Sequence, residues 1–391
     1  MYAVFVQAKF GSQGFLAYSD AFSFYLPLTK NLLENHVFSM SSAPPYVPDA
    51  YRTPLYPFFL AAFLLFKLPL FIISFAQNIL AGVMVVLVYR IGLAIFKNEK
   101  IGLFAAATTA LEPMSIYWNN LLMSDYLFAF LFISAFYLFL VKRYYLFALT
   151  LGLATLTRSI GAYFFPLFLI EMLWRGIGWK KIILTALIFY TTLFPWMLRN
   201  KIVFNTWELS TASWYNLYGV VTQIFADKEG FVLPRPESLP YDPASVPFYK
   251  QHFFEIIKER PLAYVKFYKS VVLQSLFKNP YAYFSEYVLK QKFPGFSRGF
   301  LSYVVDFVVA SAWLLWMAVY IFALSGWLIK ETKLWFYLIF LIILFNIFSL
   351  GALGLGADMS RYMLPLTPFI LLFAGAGFNF IYNRLKYVFA Q

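Results

Sequence analysis

Asp20, Asp49, Arg52, Glu112, Asp125, Arg158, Arg199, Asn200, Asp358 and Arg361 are the residues best suited to chemistry here, being polar or charged in apolar surroundings. A carboxylate in a water-filled cavity can take a proton from a hydroxyl. An arginine fork holds a phosphate through two parallel hydrogen bonds, as a lysine cannot. Carboxylates and arginines gathered on one side of a bundle therefore suit an anionic lipid as substrate. The carboxylates do not cluster at ligand spacing, and His36 and His252 lie far apart in sequence. No obligatory metal and no cofactor is expected; a divalent cation is left open but not indicated by these residues.

Membrane helices must position these side chains. Of 391 residues, 62% are hydrophobic, 22% aromatic and 13% charged, with a mean hydropathy of +0.70; a soluble chain averages about 25% charged residues. This excludes a cytosolic enzyme, a disordered chain and a secreted scaffold, and implies an all-α polytopic membrane protein. Runs near the roughly 20 residues a bilayer core requires are Phe71–Phe96, Ile101–Trp118, Tyr126–Val141, Ile182–Leu198, Leu301–Ile329, Leu334–Leu350 and Met363–Tyr382. The junctions at Arg90/Lys97/Lys100, Lys142/Arg143, Arg175/Lys180/Lys181, Lys330/Lys333 and Arg384/Lys386 carry 12 basic residues, whereas 119–125 and 352–362 carry only Arg361. The positive-inside rule makes the first set cytoplasmic, so the candidate residues face the extracytoplasmic side of the cell membrane.

Four regions follow. Residues 1–70 are a first extracytoplasmic loop with a juxtamembrane helix, 71–198 an N-terminal transmembrane bundle, 199–300 a large extracytoplasmic loop and 301–391 the C-terminal transmembrane helices. Tyr2–Tyr18 is a poor span, interrupted by Lys9, Ser12, Gln13 and Gly14; either it is a weak first membrane helix or that helix lies upstream. Asp20–Val37 places Ala21, Tyr25, Leu28 and Leu32 at helical spacing, with a kink or a restart of the helix expected at Pro27. Tyr144–Trp174 lies between two basic junctions and is too short for two full spans. It predicts a hairpin of short helices meeting at 156–159, with Arg158 part-way into the membrane, where a cation needs an anion or water. In the large loop, Phe248–Phe277 predicts an amphipathic helix broken at Pro261, with Lys258, Arg260, Lys266 and Lys269 at lipid headgroups, and 227–247 irregular chain.

The net charge of +13 is scattered between apolar spans, so no nucleic-acid partner is expected. With no cysteine, thiolate chemistry is excluded. No internal repeat, Gly-rich phosphate loop or nucleotide fingerprint is present.

Asp20 before an amphipathic helix, then Tyr51-Arg52-Thr53-Pro54-Leu55-Tyr56-Pro57, Ser124-Asp125-Tyr126-Leu127-Phe128, Leu153-Ala154-Thr155-Leu156-Thr157-Arg158, Pro195-Trp196-Met197-Leu198-Arg199-Asn200 and Arg361-Tyr362-Met363-Leu364-Pro365 follow one another over residues 20–370. In this order they resemble the GT-C glycosyltransferases, in particular the protein-mannosyltransferase and aminoarabinose-transferase-like branch. The resemblance implies a GT-C-type helical bundle with outer-face juxtamembrane helices. It also implies transfer of a sugar, with inversion, from a polyprenyl-phosphate donor to an acceptor on the outer face: a protein, lipid or glycan. The family's catalytic base falls on Asp20. Relatives carry a second acid where Ala21 stands, and many have Ser-Glu at Ser124-Asp125.

Each candidate has a plainer reading. Asp20 also suits a helix N-cap, and Asp125 the N-cap of the next span. Arg158 lines the cavity, or else pairs with a carboxylate such as Glu112 or contacts a backbone carbonyl. Arg199 holds donor phosphate or anchors the interface beside Trp196; Arg361, followed by Tyr362, holds phosphate or pairs with Asp358. Asp49 and Arg52 support the site or are ordinary loop charges, and Glu112 supports it or caps a helix. The rivals to an enzyme are a lipid-linked-sugar flippase or transporter and a non-catalytic scaffold. A transporter often shows inverted repeats and broken helices in corresponding halves, and neither is evident.

Overall fold

A computed structural model describes residues 20–238, 242–277 and 299–326, isolated positions between 329 and 343, and 359–388. Residues 2–18, most of the expected span at 334–350, and Asp358 lie outside the described residues.

Among the described residues every regular element is helical, as expected where lipid leaves backbone groups no partner but one another. A π-helical turn, Ala21–Tyr25, runs into α1 (Leu26–Glu34). The bundle follows: α2 (Leu55–Leu64), α3 (Leu70–Phe96), α4 (Glu99–Leu111), α5 (Pro113–Asn119), α6 (Ser124–Leu140), α7 (Tyr144–Thr157), α8 (Gly161–Trp174) and α9 (Trp179–Phe204). The large loop folds into Ala212–Trp214, a π-helical stretch Tyr215–Thr222, α10 (Gln223–Glu229), α11 (Val246–Glu259) and α12 (Pro261–Phe277). The chain ends in α13 (Gly299–Ser325), α14 (Met359–Met363) and α15 (Thr367–Val388).

Among the described residues three helices, Leu70–Phe96, Trp179–Phe204 and Ser302–Ser325, are long and apolar enough to cross a bilayer; the pair α5–α6, bent by 115°, adds a fourth if counted as one span. On α9 the exposed residues Ile183, Leu187, Tyr190, Phe194, Leu198 and Ile202 recur every three or four positions, forming one apolar stripe. A soluble protein rarely leaves so long an apolar strip in water. The chain is an α-helical membrane protein.

The hairpin expected at 144–174 is α7 and α8, with Arg158 in extended backbone between them. Phe132, Phe136, Phe139, Phe147, Phe164, Phe165, Phe168 and Phe189 are fully buried where α6 to α9 meet, and the Phe165 and Phe189 rings stack at 3.9 Å. A second core of Tyr218, Phe225, Tyr249, Phe253, Tyr264 and Phe267 holds the large loop together.

Two expectations need correction. Ile101–Trp118 is not one span: Glu112 is extended (φ −65°, ψ 115°), and its carboxylate accepts from the backbone N–H groups of Met114 (3.1 Å) and Ser115 (2.5 Å). Pro113, which has no N–H to continue α4, starts α5 instead. Residues 55–64, expected as loop, form α2; its ten residues are too short to span, but they bury Tyr56, Pro57, Leu60 and Ala61 and pack on α1 and α7.

Helix direction sets the polarity of the molecule. α6 starts at Ser124 and Asp125 and ends beside Lys142 and Arg143; α7 starts there and returns to Arg158; α8 leaves again and ends at Arg175. The acid and arginine cluster thus sits about 20–25 Å from the basic junctions.

Gly152 lets α7 lie directly on α9: a Cβ there would come within 2.8 Å of the Thr192 side chain, whereas one on Gly82 would meet nothing within 4 Å. Gly152→Val should destabilise the bundle by about 1–3 kcal/mol and Gly82→Val by much less, as read by thermal unfolding in detergent.

Candidate active site

Asp20 stands at the N-cap of the π-helical turn, but its side chain makes no capping hydrogen bond. Its Oδ1 instead lies 3.1 Å from Arg52 Nη2, and its Oδ2 accepts from Arg361 Nη2, also at 3.1 Å. Arg361, on α14, also donates from Nε to Asp125 Oδ1 at 2.9 Å. The same oxygen accepts from Arg158 Nη1. Asp125 is the second residue of α6, where the helix dipole favours a negative charge. The result is one line of charges, Arg52–Asp20–Arg361–Asp125–Arg158, whose three cations and two anions sum to +1. Tyr362 lies against two of them, its ring centre 5.0 Å from the Arg361 guanidinium and 5.1 Å from that of Arg158. Arg52 is held among the rings of Phe24, Tyr51 and Tyr25, at 4.5, 4.8 and 5.4 Å.

All six residues, Asp20, Arg52, Asp125, Arg158, Arg361 and Tyr362, line a cavity of about 440 Å³. Thr53, Ser124, Thr157 and Ser159 add hydroxyls around the charges; Ser210, Ser213 and Asn216 of the large loop close one side, and Phe128, Ile160, Leu217, Val220 and Pro365 add apolar wall. Tyr25 Oη and Ser124 Oγ share a 2.6 Å hydrogen bond, and Thr53 donates to the Thr157 carbonyl at 2.8 Å, joining the first loop to α6 and α7. Two buried atoms of the cavity-lining residues have no hydrogen-bond partner among the described residues: Asp125 Oδ2 and Arg52 Nε.

Burial alone would raise the Asp20 pKa, but Arg52, then Arg361 and Arg158, outweigh it and hold the carboxyl below its usual range. Asp20 is ionised at neutral pH. Among the described residues no three His, Asp or Glu side chains gather to hold a metal.

Four of the described candidates, Arg199, Asn200, Asp49 and Glu112, lie outside the cavity lining. Arg199 donates to the Asp49 carbonyl (2.6 Å) and to Asn200 Oδ1 (2.9 Å) and lies over the Trp196, Phe204 and Phe38 rings at 4.8, 4.9 and 5.7 Å. It ties the first loop to the end of α9, close to the anchoring reading. Asp49 turns that loop, its Oδ1 accepting from the Tyr51 N–H at 2.8 Å. Glu112 is the cap of α5. Arg158 pairs with Asp125, not Glu112, and Asp125 is not an N-cap, since Met123 holds that place. Sequence reasoning missed Tyr25, Tyr51, Thr53, Ser124, Ser210, Ser213 and Asn216 as lining residues. The run Ser210-Thr211-Ala212-Ser213, small and hydroxylic between Trp207 and Trp214, was the signal available.

The sequence matches no protein-family model, no curated protein and no solved structure.

Asp49 generates a pH dependence. Burial pushes its carboxyl up to about 6 against the N–H groups of Tyr51 and Arg52 and the charges of Arg52 and Arg199, which pull it down. A carboxyl with a raised folded-state pKa keeps its proton longer when folded, so its contribution is present below about pH 4 and lost by about pH 6. Asp49→Asn retains the Oδ1 acceptor and never ionises. Relative to wild type it should gain about 1–3 kcal/mol between pH 4 and 6 and hold that gain above, measured by unfolding in detergent across pH.

Proposed function

We propose that the protein is an integral-membrane glycosyltransferase of the GT-C type, moving a sugar from a polyprenyl-phosphate donor to an acceptor on the extracytoplasmic face. One observation carries this reading: Asp20, on which the family's base falls, sits in a cavity within hydrogen-bonding distance of two arginines, 3.1 Å from each. The reaction needs one carboxylate near the acceptor hydroxyl and cations where the phosphate leaves. As the acceptor oxygen bonds to the anomeric carbon, that carbon's bond to the phosphate oxygen breaks with inversion. Asp20 takes the acceptor's proton, and the electron pair stays on the leaving phosphate, beside Arg361 and Arg158. Acceptor acidity rises as the new bond forms, so a carboxylate of low pKa suffices. The hydroxyl and amide groups of Ser210, Ser213 and Asn216 suit a sugar, and the apolar wall of Phe128, Ile160, Leu217 and Val220 suits the first isoprenes. The large loop then covers the cavity and selects the acceptor.

The test is transfer from radiolabelled polyprenyl-phosphate sugars in vesicles containing wild type or Asp20→Asn at matched expression. Wild type should transfer, and Asp20→Asn should lose about 10²-fold or more while still binding donor. A wild-type chain that moves labelled lipid across the bilayer and transfers no sugar would replace this reading with a flippase.

A further inference from the structure

The arginines of the cavity are already occupied by carboxylates, and the manner of occupation is uneven. Asp125 Oδ1 accepts from both Arg361 and Arg158, while Asp125 Oδ2 is buried without a partner. Arg158 makes that one hydrogen bond among the described residues, although a guanidinium has five N–H donors, and it keeps 19% of its side chain open beside the cavity. Arg52 Nε is likewise buried and unpaired. Two carboxylates therefore engage the arginines while Arg158 and Arg52 keep N–H donors unused among the described residues. A buried group with unused capacity is costly unless a further partner arrives.

We infer that Asp20 and Asp125 are stand-in anions, and that the phosphate group of a lipid headgroup binds this cavity by taking their place on Arg361 and Arg158. Its oxygens reach the Arg158 N–H donors that the shared Asp125 Oδ1 leaves unused. Because Arg361 also bonds Asp20 Oδ2, the anion that draws Arg361 away uncovers that oxygen. Anion binding and release of the carboxylate are thus one exchange. The exchange rests on the glycosyltransferase reading only in naming Asp20 as the base so uncovered, which would make donor binding precede the acceptor's deprotonation.

The exchange makes a prediction opposite to that of a static binding site. Full-length protein in detergent is titrated with farnesyl phosphate and, separately, with inorganic phosphate, for wild type, Asp20→Asn, Asp125→Asn and Arg361→Gln. Removing a competing carboxylate should tighten farnesyl phosphate binding by about tenfold, whereas Arg361→Gln should weaken it by a similar factor. The Asn variants should unfold at lower temperature when empty, because an arginine has lost its partner, and gain more from the ligand than wild type does. Inorganic phosphate reproducing the pattern supports the exchange with free phosphate as occupant; farnesyl phosphate alone binding supports a lipid headgroup. Folded Asn variants that bind farnesyl phosphate unchanged or more weakly overturn the exchange, and if Asp125→Asn does not fold, Asp20→Asn decides alone. The readout needs no turnover: tightening in a chain that transfers no sugar costs only the glycosyltransferase reading, and transfer without tightening costs only the exchange.

Discussion

Arg361 joins two carboxylates that lie 341 and 236 residues away in the chain, and the cavity depends on that pair of hydrogen bonds. It is buried, with 3% of its side chain exposed, in surroundings where an unpaired guanidinium would be prohibitively costly. Pairing to Asp20 brings in the first loop; pairing to Asp125 brings in the start of α6, and through it Arg158 at the α7–α8 turn. Three segments that share no continuous helix are thereby held around one space. The desolvation cost of five charged groups is offset only if each faces an opposite partner, so the line alternates in sign.

Much of the fold was legible because a bilayer simplifies the problem. Apolar length marked Leu70–Phe96 and Trp179–Phe204 to within a few residues, and the spacing of basic junctions with a segment too short for two spans predicted the hairpin around Arg158. What failed had a common cause. Helices apolar all round show little periodicity, so neither the faces they bury nor their breaks are written in the pattern. Glu112 was legible as a cap but not as a break in the span, since it lies in an otherwise apolar run, and α2 was too short to register as a candidate span.

The same distinction governs the site. Asp20, Arg52, Asp125, Arg158, Arg361 and Tyr362 stood out because charges and their neighbours are conspicuous in an apolar chain, and the structure gathers all six. Arg199 was equally conspicuous and goes elsewhere, since a cation at a helix end serves as well to tie a loop carbonyl as to face a cavity. The partner of Arg158 was left open, with Glu112 only an example, for a similar reason. Glu112 is closer to mid-span in the linear reading, but its carboxylate is consumed by the N–H groups it caps, leaving Asp125 as the available anion. Local spacing says which side chains are charged; it does not say which have been spent on backbone.

Polar groups deeper in the bundle complete the argument. Gln77 donates to the carbonyls of Asn119 (2.5 Å) and Leu121 (2.9 Å) while accepting from Tyr56 Oη (2.9 Å). Ser74 and Asn78 both donate to Asn120 Oδ1 at 3.0 Å, and Asn119 donates to Asn78 Oδ1 at 3.0 Å. These bonds go to the turn between α5 and α6, where a 115° bend frees backbone groups that no lipid can satisfy. A straight helix through this region would have needed none of them, and would have carried Asp125 past the cavity instead of presenting it at a helix start. The amides of α3 therefore stabilise an irregularity whose consequence lies one turn further on, in the carboxylate that holds Arg158 and Arg361 together.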